Sequence, residues 1–169
     1  MLRHYKAVWF YGPAAGMVLA DQLTKLAARG CLKPDQPVRL IPGFLDLKLS
    51  YNSGAAFGVL PDWAPLFIIM AIVAVFAIVR LRRATGRSRV LAAGLGLLMG
   101  GALGNLIDRV ASPTREVTDF LSFHVTVGGK MYAWPTFNLA DIGIVAGAAM
   151  AFFYVYVVEK RRTQPSGVE

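Results

Sequence analysis

Residues 8–28, 64–80, 90–108 and 138–158 form four long apolar stretches separated by polar ones. About twenty residues, at roughly 1.5 Å of helix rise each, reach across a hydrocarbon core about 30 Å thick. The pattern therefore predicts four transmembrane helices. The first stretch has the basic start and apolar centre of a secretory leader. However, Asp21-Gln22-Leu23-Thr24-Lys25 stands where small residues would mark a cleavage site, and three further stretches follow, so it reads as a retained span. Between the first two stretches the period changes from helical to two. Leu45, Leu47, Leu49 and Tyr51 alternate with Asp46, Lys48 and Ser50, the pattern of a half-buried strand. Pro42-Gly43 is a turn signal, and residues 38–41 are the expected partner strand. In the second polar loop Gly128-Gly129 is a hairpin-turn signal. The expected fold is an all-α membrane protein: a four-transmembrane-helix bundle carrying a small extracytoplasmic β-sheet and loop region. It forms a single integral domain over residues 1–169.

Small residues recur every four positions at Gly12, Gly16 and Ala20, at Gly96, Gly100 and Gly104, and at Gly143, Gly147 and Ala151. Such spacing lets helices approach closely in lipid. Composition agrees with a membrane chain: 56% of the 169 residues are hydrophobic, and mean hydropathy is +0.51.

Charge then fixes an orientation. The amino-terminal segment, the loop 81–89 with its flanking Arg80, and the tail 159–169 hold ten of the eighteen Lys and Arg, against two acids, Glu159 and Glu169. They account for the whole net charge of +8, since the rest of the chain carries eight of each sign. The positive-inside rule makes these segments cytoplasmic. Both termini are then inside, and the loops 29–63 and 109–137 are outside. The basic charge reads as a topology signal with some affinity for membrane phospholipids, and no nucleic-acid role is expected, because the basic segments are short and lack interleaved aromatics. Cys31 is the only cysteine, and His4 and His124 lie far apart. No disulfide, metal site or cofactor is expected.

With that topology, acids from four separated segments come to one membrane face: Asp21, Asp108, Asp119 and Asp141. Each has an ordinary reading. Asp21 and Lys25 are spaced as an i,i+4 ion pair, Asp108 can meet Arg109 or Lys25, and Asn138 with Asp141 is a helix N-cap with an acid in the first turn. Asp119 and Asp141 alone have no cation close in sequence. Two carboxylates at one partly dry site share a proton, so one can serve as base toward water and the other as acid, which is what aspartic peptide hydrolysis requires. A serine mechanism at Ser53 lacks the flanking elbow, and His124 lacks a paired acid in its segment. A rival from another class is a small proton-coupled transporter, which would place a carboxylate near mid-span rather than at one face. A non-catalytic membrane scaffold is the third reading, and it would retain its function without either acid.

The chain resembles the lipoprotein signal peptidases (signal peptidase II), bacterial membrane aspartic proteases. The resemblance rests on five ordered boxes: Asp21 to Lys25, Asn52-Ser53-Gly54-Ala55-Ala56-Phe57, Gly104-Asn105-Leu106-Ile107-Asp108-Arg109, Val117-Thr118-Asp119-Phe120, and Phe137-Asn138-Leu139-Ala140-Asp141. The segment between Asp119 and Asp141 is somewhat longer than is usual in the family, with the extra residues around 126–130. The resemblance implies that Asp119 and Asp141 are the catalytic pair, that Asn52, Gly54, Asn105, Arg109 and Asn138 shape the binding site, and that Asp21, Lys25 and Asp108 support it. It also implies the reaction: removal of the signal peptide from diacylglyceryl-modified prolipoproteins, just before the lipidated cysteine, at the outer face of the inner membrane. Of the pair, Asp141 is the expected ionised base, because a helix N-terminus favours its charge.

Overall fold

The computed structural model describes residues 2–54, 63–84 and 88–159, with residues 2–6 and 157–159 by their backbone alone. Ala55 to Phe57 of the second box, Arg87 of the arginine loop and the tail beyond residue 159 lie outside the described residues. Four helices follow in order: α1 (Leu2–Cys31), α2 (Ala64–Ala84), α3 (Arg89–Ala111) and α4 (Leu139–Phe153), the last running on into a π-helical turn over Tyr154–Glu159. Three of them, α2, α3 and α4 with its extension, are long and apolar enough to cross a membrane. α1 is the longest helix, but Asp21, Lys25 and Arg29 dilute its C-terminal half. It runs through Gly12-Pro13 without breaking.

α3 is the axis, packing against the three other helices. Its apolar core with α1 is built from Phe10, Ala14, Leu91, Ala92, Leu95 and Met99, with Val75, Ile78 and Val79 of α2 against it. Small residues on α3 and α4 set the spacing. A Cβ on Gly100 would lie 2.6 Å from the Ala14 carbonyl oxygen, and one on Gly147 2.7 Å from the Leu98 nitrogen. The expected stripe on α1 does not take part. Gly12 and Gly16 are exposed, and among the described residues nothing lies within 4 Å of a Cβ on Gly16. α1 instead turns Phe10, Ala14, Asp21 and Lys25 inward. The reason is physical: two buried ionic side chains must face polar partners, and this fixes the helix rotation more strongly than a row of small residues does.

The remaining chain forms one antiparallel sheet in the order β1-β2-β3-β4. β1 (Val38–Ile41) pairs with β2 (Leu45–Asn52) across the Pro42-Gly43 turn, with Val38 opposite Leu47. β3 (Val117–Val127) pairs with β2, setting Asp119 opposite Ser50, and with β4 (Lys130–Ala133), setting Val127 opposite Lys130. The two-residue turn Gly128-Gly129 has φ of 58° and 78°. Positive φ at both central positions is the hairpin geometry that glycine permits. Sequence periodicity shows β1 and β2 but not β3, whose first four residues are all buried. One face of β3 meets the bundle and the other is covered, so no alternation survives to be read.

Candidate active site

α4 begins with a capping box. The Asn138 side-chain oxygen accepts from the Asp141 backbone N–H at 3.1 Å, and an Asp141 carboxylate oxygen accepts from the Asn138 N–H at 3.1 Å. Each exchange satisfies an otherwise orphaned helix-end donor. The Asn138 amide then reaches further: its Nδ2 donates to Asp119 Oδ1 at 2.7 Å and to Asn105 Oδ1 at 3.0 Å. Asn105 Nδ2 donates to Asp141 Oδ1 at 2.9 Å. The other Asp119 oxygen accepts from Asn52 Nδ2 at 3.1 Å. One strand and one helix end therefore bring Asp119 and Asp141 to a common asparagine, and both carboxylates line a cavity of about 370 Å³.

Asp119 is 1% exposed. Burial pushes its carboxyl up to about 7, and the charge of Asp141 adds to the shift, while hydrogen bonds from Asn52 and Asn138 and the Lys25 charge pull it down. A carboxyl that keeps its proton near neutrality can donate to a substrate oxygen.

Beneath the pair lies a buried ionic cluster. Lys25 Nζ is 2.9 Å from Asp21 Oδ2 and 3.1 Å from Asp108 Oδ2, with all three side chains almost wholly buried. Its third hydrogen goes to Asn105 Oδ1 at 2.9 Å. Asp21 Oδ1 accepts the Ala140 N–H of α4 at 2.9 Å, and Asp108 Oδ2 accepts the Thr118 N–H of β3 at 3.0 Å. The two acids that flank Lys25 thus hold the two elements that carry Asp141 and Asp119. Asp108 meets Lys25 rather than its neighbour Arg109. Arg109 instead donates from Nη2 to the Gly54 carbonyl at 3.0 Å, and its guanidinium lies 5.2 Å from the centre of the Phe67 ring. Its Nε is buried without a hydrogen-bond partner among the described residues.

All ten residues singled out from the sequence, Asp21, Lys25, Asn52, Gly54, Asn105, Asp108, Arg109, Asp119, Asn138 and Asp141, fall in this network or its rim. Two corrections belong to the surroundings. Asp119 sits on strand β3 rather than in a loop. His124 is also on β3, with Nδ1 3.7 Å from an Asp46 oxygen on β2, so its acid comes from another strand. Sequence reasoning missed Gln22, whose Nε2 donates to Asp21, to Asp108 and to the Gly104 carbonyl, each at 3.1 Å. Its signal was available, since a Gln beside Asp21 in an apolar helix needs polar partners. Nothing in the sequence marked Phe67, Trp134, Ile144 and Val145, which with Val117, Pro135 and Phe137 form the apolar part of the cavity lining.

The fold and site define a membrane protein with a carboxylate pair in a cavity at one end of its helices. The family model described as signal peptidase (SPase) II matches residues 14–157. A lipoprotein signal peptidase of Oleidesulfovibrio alaskensis is 45% identical over 148 residues, covering 85% of this chain and 91% of that one. One from Symbiobacterium thermophilum is 39% identical over 147 residues, covering 86% and 93%. A solved structure described as a bacterial membrane enzyme aligns with a TM-score of 0.78 at 30% identity, covering 93% of this chain and 92% of that one. The chain belongs to the signal peptidase II family.

Proposed function

We propose that this chain is an aspartic endopeptidase that removes the signal peptide from diacylglyceryl-modified prolipoproteins, cleaving before the lipidated cysteine. The observation that carries the catalytic type is the Asn138-bridged pair, Asp119 and Asp141, on one cavity. Asp141, ionised at the α4 N-terminus, takes a proton from water as the water oxygen attacks the scissile carbonyl. Asp119, protonated, gives its hydrogen to the carbonyl oxygen, producing a neutral gem-diol. Collapse of the diol returns one proton to Asp119 and passes the proton held by Asp141 to the leaving nitrogen, so the pair ends as it began. Arg109, which lines the same cavity, would hold a substrate backbone carbonyl through its guanidinium. Asn52 and Gly54 shape the same rim.

In this reading α1 is the fourth span, with its charges turned into the bundle rather than toward lipid. The spans are residues 8–28, 64–80, 90–108 and 138–158, both termini are cytoplasmic, and the site lies at the outer face of the inner membrane. A lipid-bearing substrate then meets the cavity at headgroup depth. The proton-coupled transporter finds no support, since the named relatives are peptidases. The test is mass spectrometry of a lipidated precursor incubated with the purified protein in detergent. Wild type should release the signal peptide before the modified cysteine, and Asp119→Asn and Asp141→Asn should each slow it by at least about a hundredfold, the usual worth of a general acid or base. Wild-type rates in either variant would remove the pair from the mechanism.

A further inference from the structure

Among the described residues α2 gives the carboxylate cavity a single side chain, Phe67. It stands in the first turn of the helix, where its N–H donates to the Trp63 carbonyl at 3.3 Å. Its ring meets the Arg109 guanidinium, 5.2 Å from the ring centre. That is within the roughly 6 Å over which an aromatic face attracts a cation. Arg109 has other partners at hand. Asp119 and Asp141 line the same cavity, near enough for their charges to act on it. Yet among the described residues it forms an ion pair with neither. Its Nη2 goes instead to the Gly54 carbonyl at 3.0 Å. One hydrogen bond fixes the end of a long side chain but leaves the guanidinium free to turn about it. The ring supplies the second restraint, because a planar guanidinium stacks on an aromatic face. A carbonyl just past β2 and a ring at the start of α2 thus keep the cation beside the pair without joining it.

That separation matters to the chemistry. A cation in contact with a carboxylate favours its ionised form, and Asp119 must keep its proton to act as the acid. An Arg109 paired with Asp119 would also be lost to the substrate. We propose that Phe67 is a positioning residue, whose ring face holds the Arg109 guanidinium off the Asp119–Asp141 pair and leaves it available to a substrate carbonyl. This rests on the reading of the pair as catalytic. The other charges that face Asp119 are Asp141 on α4 and Lys25 on α1, with Asp108 on α3 engaged by the same Lys25. Replacing the ring changes none of these groups, so its effect on Asp119 runs through Arg109. A lining role alone would be served equally by an aliphatic side chain, as it is at Ile144 and Val145.

The test compares Phe67→Leu, which keeps an apolar side chain, with Phe67→Tyr, which keeps the ring, in the full chain in detergent. The Asp119 proton is followed without activity, as the pH dependence of the difference in thermal midpoint made by Asp119→Asn. Phe67→Leu should move that dependence to lower pH by at least about one pH unit, the usual effect of a cation reaching an Asp. Processing of a lipidated precursor needs the protonated acid, so its alkaline limb should move the same way, and KM should rise several-fold. Phe67→Tyr should keep the wild-type limb. In an Arg109→Gln background Phe67→Leu should add no further shift. An Asp119 dependence that stays in place in Phe67→Leu, whatever happens to the rate, would leave Phe67 as lining and overturn the proposal. A shift that persists without the Arg109 charge would overturn it too. The expected Asp119 shift in a protein whose wild type cleaves no precursor would uphold the role of Phe67 and overturn the peptidase reading instead.

Discussion

At Asp119 two demands coincide. Folding buries it, and its function in the proposed mechanism needs it protonated. Its carboxyl moves from the ordinary 3.8 to about 7. Between those values the folded chain holds a proton that the unfolded chain has released, so stability falls as pH rises through that window. Asp119→Asn removes the titration while keeping a polar side chain of the same shape. The variant should therefore gain stability relative to wild type on going from about pH 5 to about pH 8, measured as the difference in thermal midpoint in detergent. An unchanged difference across that range would mean that Asp119 does not hold the proton. The amide also explains why the sequence alone showed so much at this scale. Asn138 and Asp141 were legible as a cap because capping is local chemistry over three residues. That the same Asn138 amide donates to Asp119, nineteen positions away, depends on the path of β3, which no local pattern records.

At the scale of elements, the ionic cluster is the joint between helices and sheet. Lys25 shares its charge between Asp21 and Asp108, and these acids receive N–H groups from α4 and β3. Removing the cation leaves two buried acids uncompensated, so Lys25→Met should cost about 3–5 kcal/mol of stability, read as a lowered thermal midpoint, and should lower processing as well. Gly104 makes room for the same joint: a Cβ there would lie 2.5 Å from Asp21 Oδ2 and 3.2 Å from the Ala140 Cβ. Gly104→Ala should cost about 1–3 kcal/mol by overpacking, with Gly16→Ala, which meets open space on α1, as the neutral comparison. A loss at Gly16 equal to that at Gly104 would contradict the observed rotation of α1. From the sequence both glycines belong to identical four-residue stripes. Only the buried Asp21 and Lys25 distinguish the face of α1 that packs.

For the molecule as a whole, the distribution of charge carries an orientation that packing does not. α2, α3 and α4 are apolar enough to cross a membrane by themselves, whereas the proposed crossing of α1 depends on Asp21 and Lys25 being paired inside the bundle. The two arguments can be separated at Cys31. This thiol is exposed at the C-terminal end of α1, six residues past the buried Lys25 and on the same side of the bundle as the carboxylate pair. If α1 spans the membrane with the amino terminus inside, a membrane-impermeant maleimide added to intact cells should label Cys31 without lysis. A cysteine placed in the basic tail, Ser166→Cys with Cys31→Ser, should react only after lysis. Labelling of both before lysis would mean an even number of crossings between them instead of three, and so the loss of α2, α3 or α4 from the spanning set. The reverse pattern would place the carboxylate cavity on the cytoplasmic side, where the excess of Lys and Arg argues against it. The experiment therefore weighs a charge rule read from sequence against the three crossings that α2, α3 and α4 would make between the two thiols.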